Sequence, residues 1–258
     1  MSRNARPSRY RAIFSVIPLA LVLAVWQIAS STGVLPKTVL PPLTDVVRAL
    51  IGLMASGEIF PHTVASLARA GTGLIVAVGV GIALGITMAR IHAVQLAFEP
   101  ILLLVYPVPK PALIPLFMIW LGIGDFSKVT VIALGCLLPV VTATFNAAKS
   151  VDPVLLWSAR ARGTSERRLL WRVVLPAIVP QVAAGVRTAT AVSIIILVSS
   201  EFISAQSGLG YLISSYGGVG ADDAMLAVVV YLAGIGYLLD LVYMACLRRF
   251  MAWHAFAH

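Results

Sequence analysis

Six predominantly apolar stretches punctuate the chain, at 12–31, 66–89, 96–119, 128–147, 180–203 and 224–247. A helix needs roughly 20 such residues to cross a bilayer's hydrocarbon core. The pattern therefore predicts an all-α, polytopic membrane bundle of about six transmembrane helices. Residues 1–65 form an N-terminal span with an outer amphipathic segment, and residues 66–258 form the core, including a cytoplasmic loop at 149–176. In the outer segment Pro36, Pro41 and Pro42 precede a run from Thr44 to Met54, where Val46, Val47, Leu50, Leu53 and Met54 recur at helical spacing. That run predicts a helix lying on the membrane surface, with Thr44 as its cap.

Composition supports lipid as the solvent: 60% of the 258 residues are hydrophobic and 11% charged, more apolar surface than a soluble domain of this length can bury. A net charge of +9 would raise nucleic acid as a partner for a soluble protein. Here the basic residues fall in short clusters between apolar runs, which is a topology signal. Arg3, Arg6, Arg9, Arg11, Arg90, Lys149, Arg160, Arg162, Arg167, Arg168, Arg172, Arg248 and Arg249 collect on one face. Lys37, Arg48, Lys128 and Arg69 are left to the other, offset by Asp45, Glu58, Asp125, Asp222 and Asp223. Both termini and the 149–176 loop are thereby expected in the cytoplasm. The stretch from Ala12 to Ile28 is long for a signal core and has no small-x-small cleavage site before Ser30, so it reads as a retained span. Cys136 and Cys246 sit in separate apolar runs, and the four histidines have no metal spacing, so neither a disulfide framework nor a metal site is expected.

Two segments depart from plain apolar helix. Residues 106–115, YPVPKPALIP, hold four prolines, each removing a backbone donor. The third span must be kinked or broken there, and its freed carbonyls must face the protein interior or a polar cavity. Gly73, Gly79, Gly81 and Gly85 give the second span a smooth face for close helix packing.

The cytoplasmic segment DPVLLWSARARGTSERRLLWRVVLP is richer in signals. Asp152 caps and Pro153 opens a helix to about Arg162, and Gly163 stops it. Ser165 caps a second short helix, which Leu175-Pro176 ends before the fifth span. The pair forms a knob whose Leu155, Leu156, Trp157 and Ala159, with its arginines, suit a partner's groove. A loop that only sets topology is the alternative.

Spacing decides between them. Ala159, Gly163, Val173, Leu175 and Pro176 resemble, in register, the E-A-A, three residues, G, nine residues, I-x-L-P pattern of ABC importer permeases. Trp157 stands where that family has glutamate, Ser158 where it has alanine, and Val173 where it has isoleucine. PVPKPALIPLFMIWLGIGDFSK (107–128), SLARAGTGLIVAVGVGIALGI (66–86) and SSEFISAQSGLGYLI (199–213) resemble the nitrate, sulfonate and taurine class of these permeases. The similarity runs from about Leu40 onward, with Leu43 in place of a proline.

This resemblance implies the type I importer fold, a second permease copy, an ATP-binding subunit and an external solute-binding protein. Trp157, Ser158, Ala159, Gly163, Val173, Leu175 and Pro176 would couple to the ATPase. The chain has no G-x-x-x-x-G-K-[ST] loop, so it is expected to bind no cofactor itself and to be no enzyme, with ATP and Mg held by the partner. Pro107, Pro109, Lys110, Pro111 and Glu201 are candidates for the translocation path. Lys110 can line the route, pair with neighbouring groups or snorkel to the interface, and Glu201 can shape the gate or pair with Arg187 or Lys110. Asp240 is expected to make a helix-helix hydrogen bond, and Glu99 to reach toward the cytoplasm. Neither the inverted repeats of an ion-driven transporter nor the clustered His, Asp and Glu of a membrane enzyme are evident.

Overall fold

The computed structural model describes residues 9–33, 36 and 39–250. Arg3, Arg6, Lys37, His254 and His258 lie outside them. All regular elements among the described residues are helical. They form two compact units, one of residues up to Pro61 with Leu212–Leu232, the other of His62–Tyr211 with residues from Ala233 onward.

In the first unit α1 (Arg9–Ser31) and α2 (Leu43–Ala55) flank a proline-rich connection. Pro41 and Pro42 lack N–H groups, so this connection presents carbonyls, and α1 supplies the donors: Trp26 Nε1 reaches the Pro41 carbonyl at 2.9 Å and Ser30 Oγ that of Leu40 at 2.6 Å. The expected Thr44 cap is not formed. Pro42, with φ of −56°, occupies the cap position, and the Gln27 side chain accepts the Thr44 N–H at 3.3 Å. With Pro42 at the cap, α2 starts at Leu43, two residues earlier than a Thr44 cap would place it. Val46 and Leu53 are buried while Val47 and Met54 face outward.

The second unit is organised around α6 (Asp125–Lys149), the most buried of the spanning helices. Its Ile132, Cys136 and Val140 pack with Ala77 of α3 (Ile59–Arg90) and Ala189 and Ile196 of α9 (Leu175–Ser204). On α3, Gly73 faces Ile132, Gly81 faces Val140 and Gly85 faces Thr144. The partners rise together along both helices, so α3 and α6 run parallel. Gly79 has open space around it and takes no part in this seam.

Between α3 and α6 lie α4 (His92–Val105), a 3-10 turn (Lys110–Leu113) and α5 (Ile114–Leu121). After α6 come α7 (Pro153–Ala161) and α8 (Glu166–Leu169), and after α9 come α10 (Leu209–Gly218) and α11 (Asp222–Phe250). Among the described residues, four helical runs are long and apolar enough to span: α3, α6, Glu166–Ser204 and α11. The α4–α5 pair, bent by 95°, makes a fifth span if counted as one. With α1, apolar from Ala20 to Ser31, these account for the six apolar windows.

Candidate functional site

Asp152 caps α7 as expected, its carboxylate accepting the Val154 N–H at 2.8 Å. The helix stops at Gly163, whose φ of +75° is open to glycine at little cost. Glu166, just beyond, is bonded by Arg160 of α7 at 2.8 Å and by Arg90 at the end of α3 at 3.1 Å. This carboxylate holds the Arg160 guanidinium above its usual range. α7 is thus capped at its start and linked near its end, through Glu166, to α3, and between these points Val154, Leu155 and Trp157 stand in the open, Trp157 at 65% exposure. Leu156, expected among the docking residues, instead turns inward against the Ile86–Val174–Ile178 cluster, and Ala159 is half-buried.

Beyond the knob the structure departs from expectation. Ser165 makes no capping hydrogen bond, and Leu175-Pro176 does not end the second helix. α8 passes through a π-helical turn, Leu170–Val174, directly into α9. The Leu175 N–H reaches back five residues to the Leu170 carbonyl. The wider turn makes room for Pro176, which has no N–H and would clash with the preceding turn of a regular helix. Val173, Leu175 and Pro176 are therefore half-buried residues of the joint between knob and span.

The proline-broken segment lines a cavity of about 740 Å³ through Tyr106, Val108, Pro109, Lys110 and Pro111, facing α6 and α9. Pro107 does not line it. Four carbonyls at a helix C-terminus lack intrahelical partners, and Pro107 and Pro109 can donate nothing to those of α4. Lys110 serves them: its Nζ donates to the Val105 carbonyl at 2.6 Å and to that of Tyr106 at 2.8 Å. Its ammonium caps the break while its stem passes Gly135 at the cavity wall.

Glu201 is 1% exposed and does not line this cavity. Its partner is neither Arg187 nor Lys110 but Arg69, with Nη1 to Oε1 at 2.6 Å. Ser66 Oγ donates to the carboxylate at 2.7 Å and the Gly210 N–H at 3.0 Å. Arg69 spends its remaining donors on the Ser207 carbonyl at 2.7 Å, Ser207 Oγ at 2.8 Å and Asp125 at 2.7 Å. The cluster fastens the chain after α9 to α3. Arg187 and Asp240 pair with each other, at 2.6 and 2.7 Å. Glu99 accepts from Gln95, which in turn accepts from Lys149 at 2.9 Å.

Residues 79–251 match the family described as binding-protein-dependent transport system inner membrane component. The chain belongs to this family. The taurine transport system permease protein of Escherichia coli (strain K12) is 34% identical over 253 residues, 96% of this chain and 92% of that one. A Bacillus subtilis (strain 168) permease provisionally named for aliphatic sulfonate transport is 31% identical, over 95% and 89%. The formylaminopyrimidine transport permease protein of Halalkalibacterium halodurans is 27% identical, over 78% and 80%. The fold is shared with a chain of the inward-facing MetNI methionine ABC transporter: TM-score 0.55, 19% identity, 80% of this chain and 96% of that one.

Of the residues expected to couple to an ATPase, Trp157, Ser158 and Ala159 lie on α7 and Gly163 just after it, whereas Val173, Leu175 and Pro176 lie at the π turn and the start of α9. The path candidates divide, with Pro109, Lys110 and Pro111 at the cavity and Glu201 in the buried ion pair. Arg69 is the residue that sequence reasoning missed. The charge pattern sets it on the outer face at the start of the second span, and the structure encloses it to 7% exposure within α3. Its signal was an arginine inside the apolar, glycine-rich run SLARAGTGL, where a buried acidic partner is the ordinary requirement.

Proposed function

We propose that the chain is the membrane-spanning subunit of an ABC importer for a small sulfonate-type anion, with both termini in the cytoplasm and a second copy completing the path. A separate subunit binds ATP with Mg and docks on α7, and an external solute-binding protein delivers the solute. The observation that carries this reading is the tethered helix with its exposed apolar face. Val154, Leu155 and Trp157 stay in the open while Leu156, packed inward, and Glu166, paired with Arg160 and with Arg90 of α3, hold the helix beneath them. Leaving such a face exposed is costly without a partner, and a fixed helix transmits displacement. Trp157 in the position where the family has glutamate calls for a groove that accepts an aromatic ring. The names of the taurine and sulfonate relatives support an anionic solute. The Lys110 cavity supports a route between α6 and α9.

Trp157→Ala tests the docking. At 65% exposure the residue adds little to folding, yet a buried aromatic at an interface is typically worth about 2 kcal/mol or more. The ATPase subunit should bind roughly 30-fold more weakly in detergent, with unchanged permease unfolding. Ala159→Asp and Gly163→Asp should likewise abolish co-purification and ATP-dependent uptake. Wild-type affinity and uptake in all three would overturn the assignment.

A further inference from the structure

We infer that the end of α6 remote from the knob carries an anion site, built on Lys128, that receives the acidic group of the solute. The inference rests on the importer reading above. Lys128 is 3% exposed, yet its Nζ has a single hydrogen-bond partner, the Gly124 carbonyl at 3.2 Å. It forms no ion pair among the described residues. An ammonium carries three donors, so two are unspent in a place where a charge ordinarily demands partners. The side chain lines a cavity of about 460 Å³ together with Arg69, Gly124, Asp125, Gln206 and Ser207.

Charge and geometry agree on what fits there. Arg69, Lys128 and Glu201 are all buried, two positive charges against one negative. The compensating acid, Asp125, has a side chain 69% exposed, so its charge is largely held by water. Asp125 pairs with Arg69 Nε at 2.7 Å and not with Lys128, so the lysine ammonium is left to whatever enters the cavity. The Gln206 side chain is exposed and makes no hydrogen bond among the described residues, leaving a neutral donor at the rim. The first turn of α6 adds its positive dipole end. A sulfonate or carboxylate entering here takes up the free Lys128 donors, and charge-assisted hydrogen bonds of this kind are the stronger class.

Ethanesulfonate, with dimethyl sulfone as a neutral control, is the probe, and thermal unfolding of the detergent-solubilised transporter complex the readout. Ethanesulfonate should raise the wild-type midpoint in a concentration-dependent way, and dimethyl sulfone should not. Lys128→Met should weaken the apparent affinity by about tenfold or more, and Lys128→Arg should keep it. Gln206→Glu, a rim substitution that leaves the buried groups in place, should abolish the response by adding to the cavity a carboxylate that, unlike Asp125, is not already paired with Arg69. A wild-type midpoint indifferent to ethanesulfonate overturns the site, as does a full response in Gln206→Glu or Lys128→Met. Uptake by the reconstituted wild type separates the two claims. Loss of ATP- and binding-protein-dependent uptake speaks against the importer reading, whereas uptake without any anion response removes only the Lys128 site.

Discussion

At the scale of single residues, the Arg69–Glu201 pair shows how the permease spends its buried charge. Both side chains are almost wholly enclosed, and every oxygen of the carboxylate has a donor. Removing one partner of such a pair typically costs about 3–5 kcal/mol, because the survivor is left charged and unpaired. Glu201→Gln should therefore lower the unfolding midpoint markedly, and Arg69→Gln with Glu201→Gln should cost much less than the two single losses added together. Additive losses in that double-mutant cycle would show the two groups to be uncoupled. The partnership was invisible in the sequence, since 132 positions separate the two residues. What could be read was that Glu201 stood in an apolar run and needed a partner. The same limit governed Arg187 and Asp240, each recognised as costly and each matched only by the fold.

Elements were more legible than pairings. The apolar windows located the spans because burial in lipid imposes length, and four prolines in ten positions located the break in the third. The joint at Pro176 was misjudged because a proline after Leu175 ends most helices, and only a π turn, which has no sequence signature of its own, lets this one continue. The glycine seam of α3 was read correctly in kind but not residue by residue. A Cβ at Gly85 would meet the Val141 carbonyl oxygen at 2.9 Å and the Phe145 nitrogen at 3.0 Å, both backbone atoms of α6 that cannot step aside. Gly85→Ala should thus destabilise by about 1–3 kcal/mol through overpacking. Gly79→Ala, in open space, should be neutral or gain up to about 1 kcal/mol from helix propensity. Equal unfolding midpoints for the two variants would contradict the seam.

For the whole molecule, the proposed orientation predicts a sidedness that its two thiols report. Cys136 is buried and Cys246 exposed, two residues before Arg248 at the inner end of α11. A membrane-impermeant maleimide should label Cys246 in inside-out vesicles and leave intact cells unlabelled, with Cys136 silent in both. Labelling from outside would reverse the topology. The run from Glu166 to Ser204 also sets how the two faces relate. It is one rod of 39 residues, about 58 Å long, gripped near one end by Arg90 and Arg160 and near the other by Arg69. A lever of that length tilted by ~10° about its middle swings its tips roughly 5 Å in opposite senses. If the proposed import cycle tilts this run as such a see-saw, one stroke cannot spread both ends of the barrier, and protection against leakage becomes a matter of leverage before any side chain closes a gate.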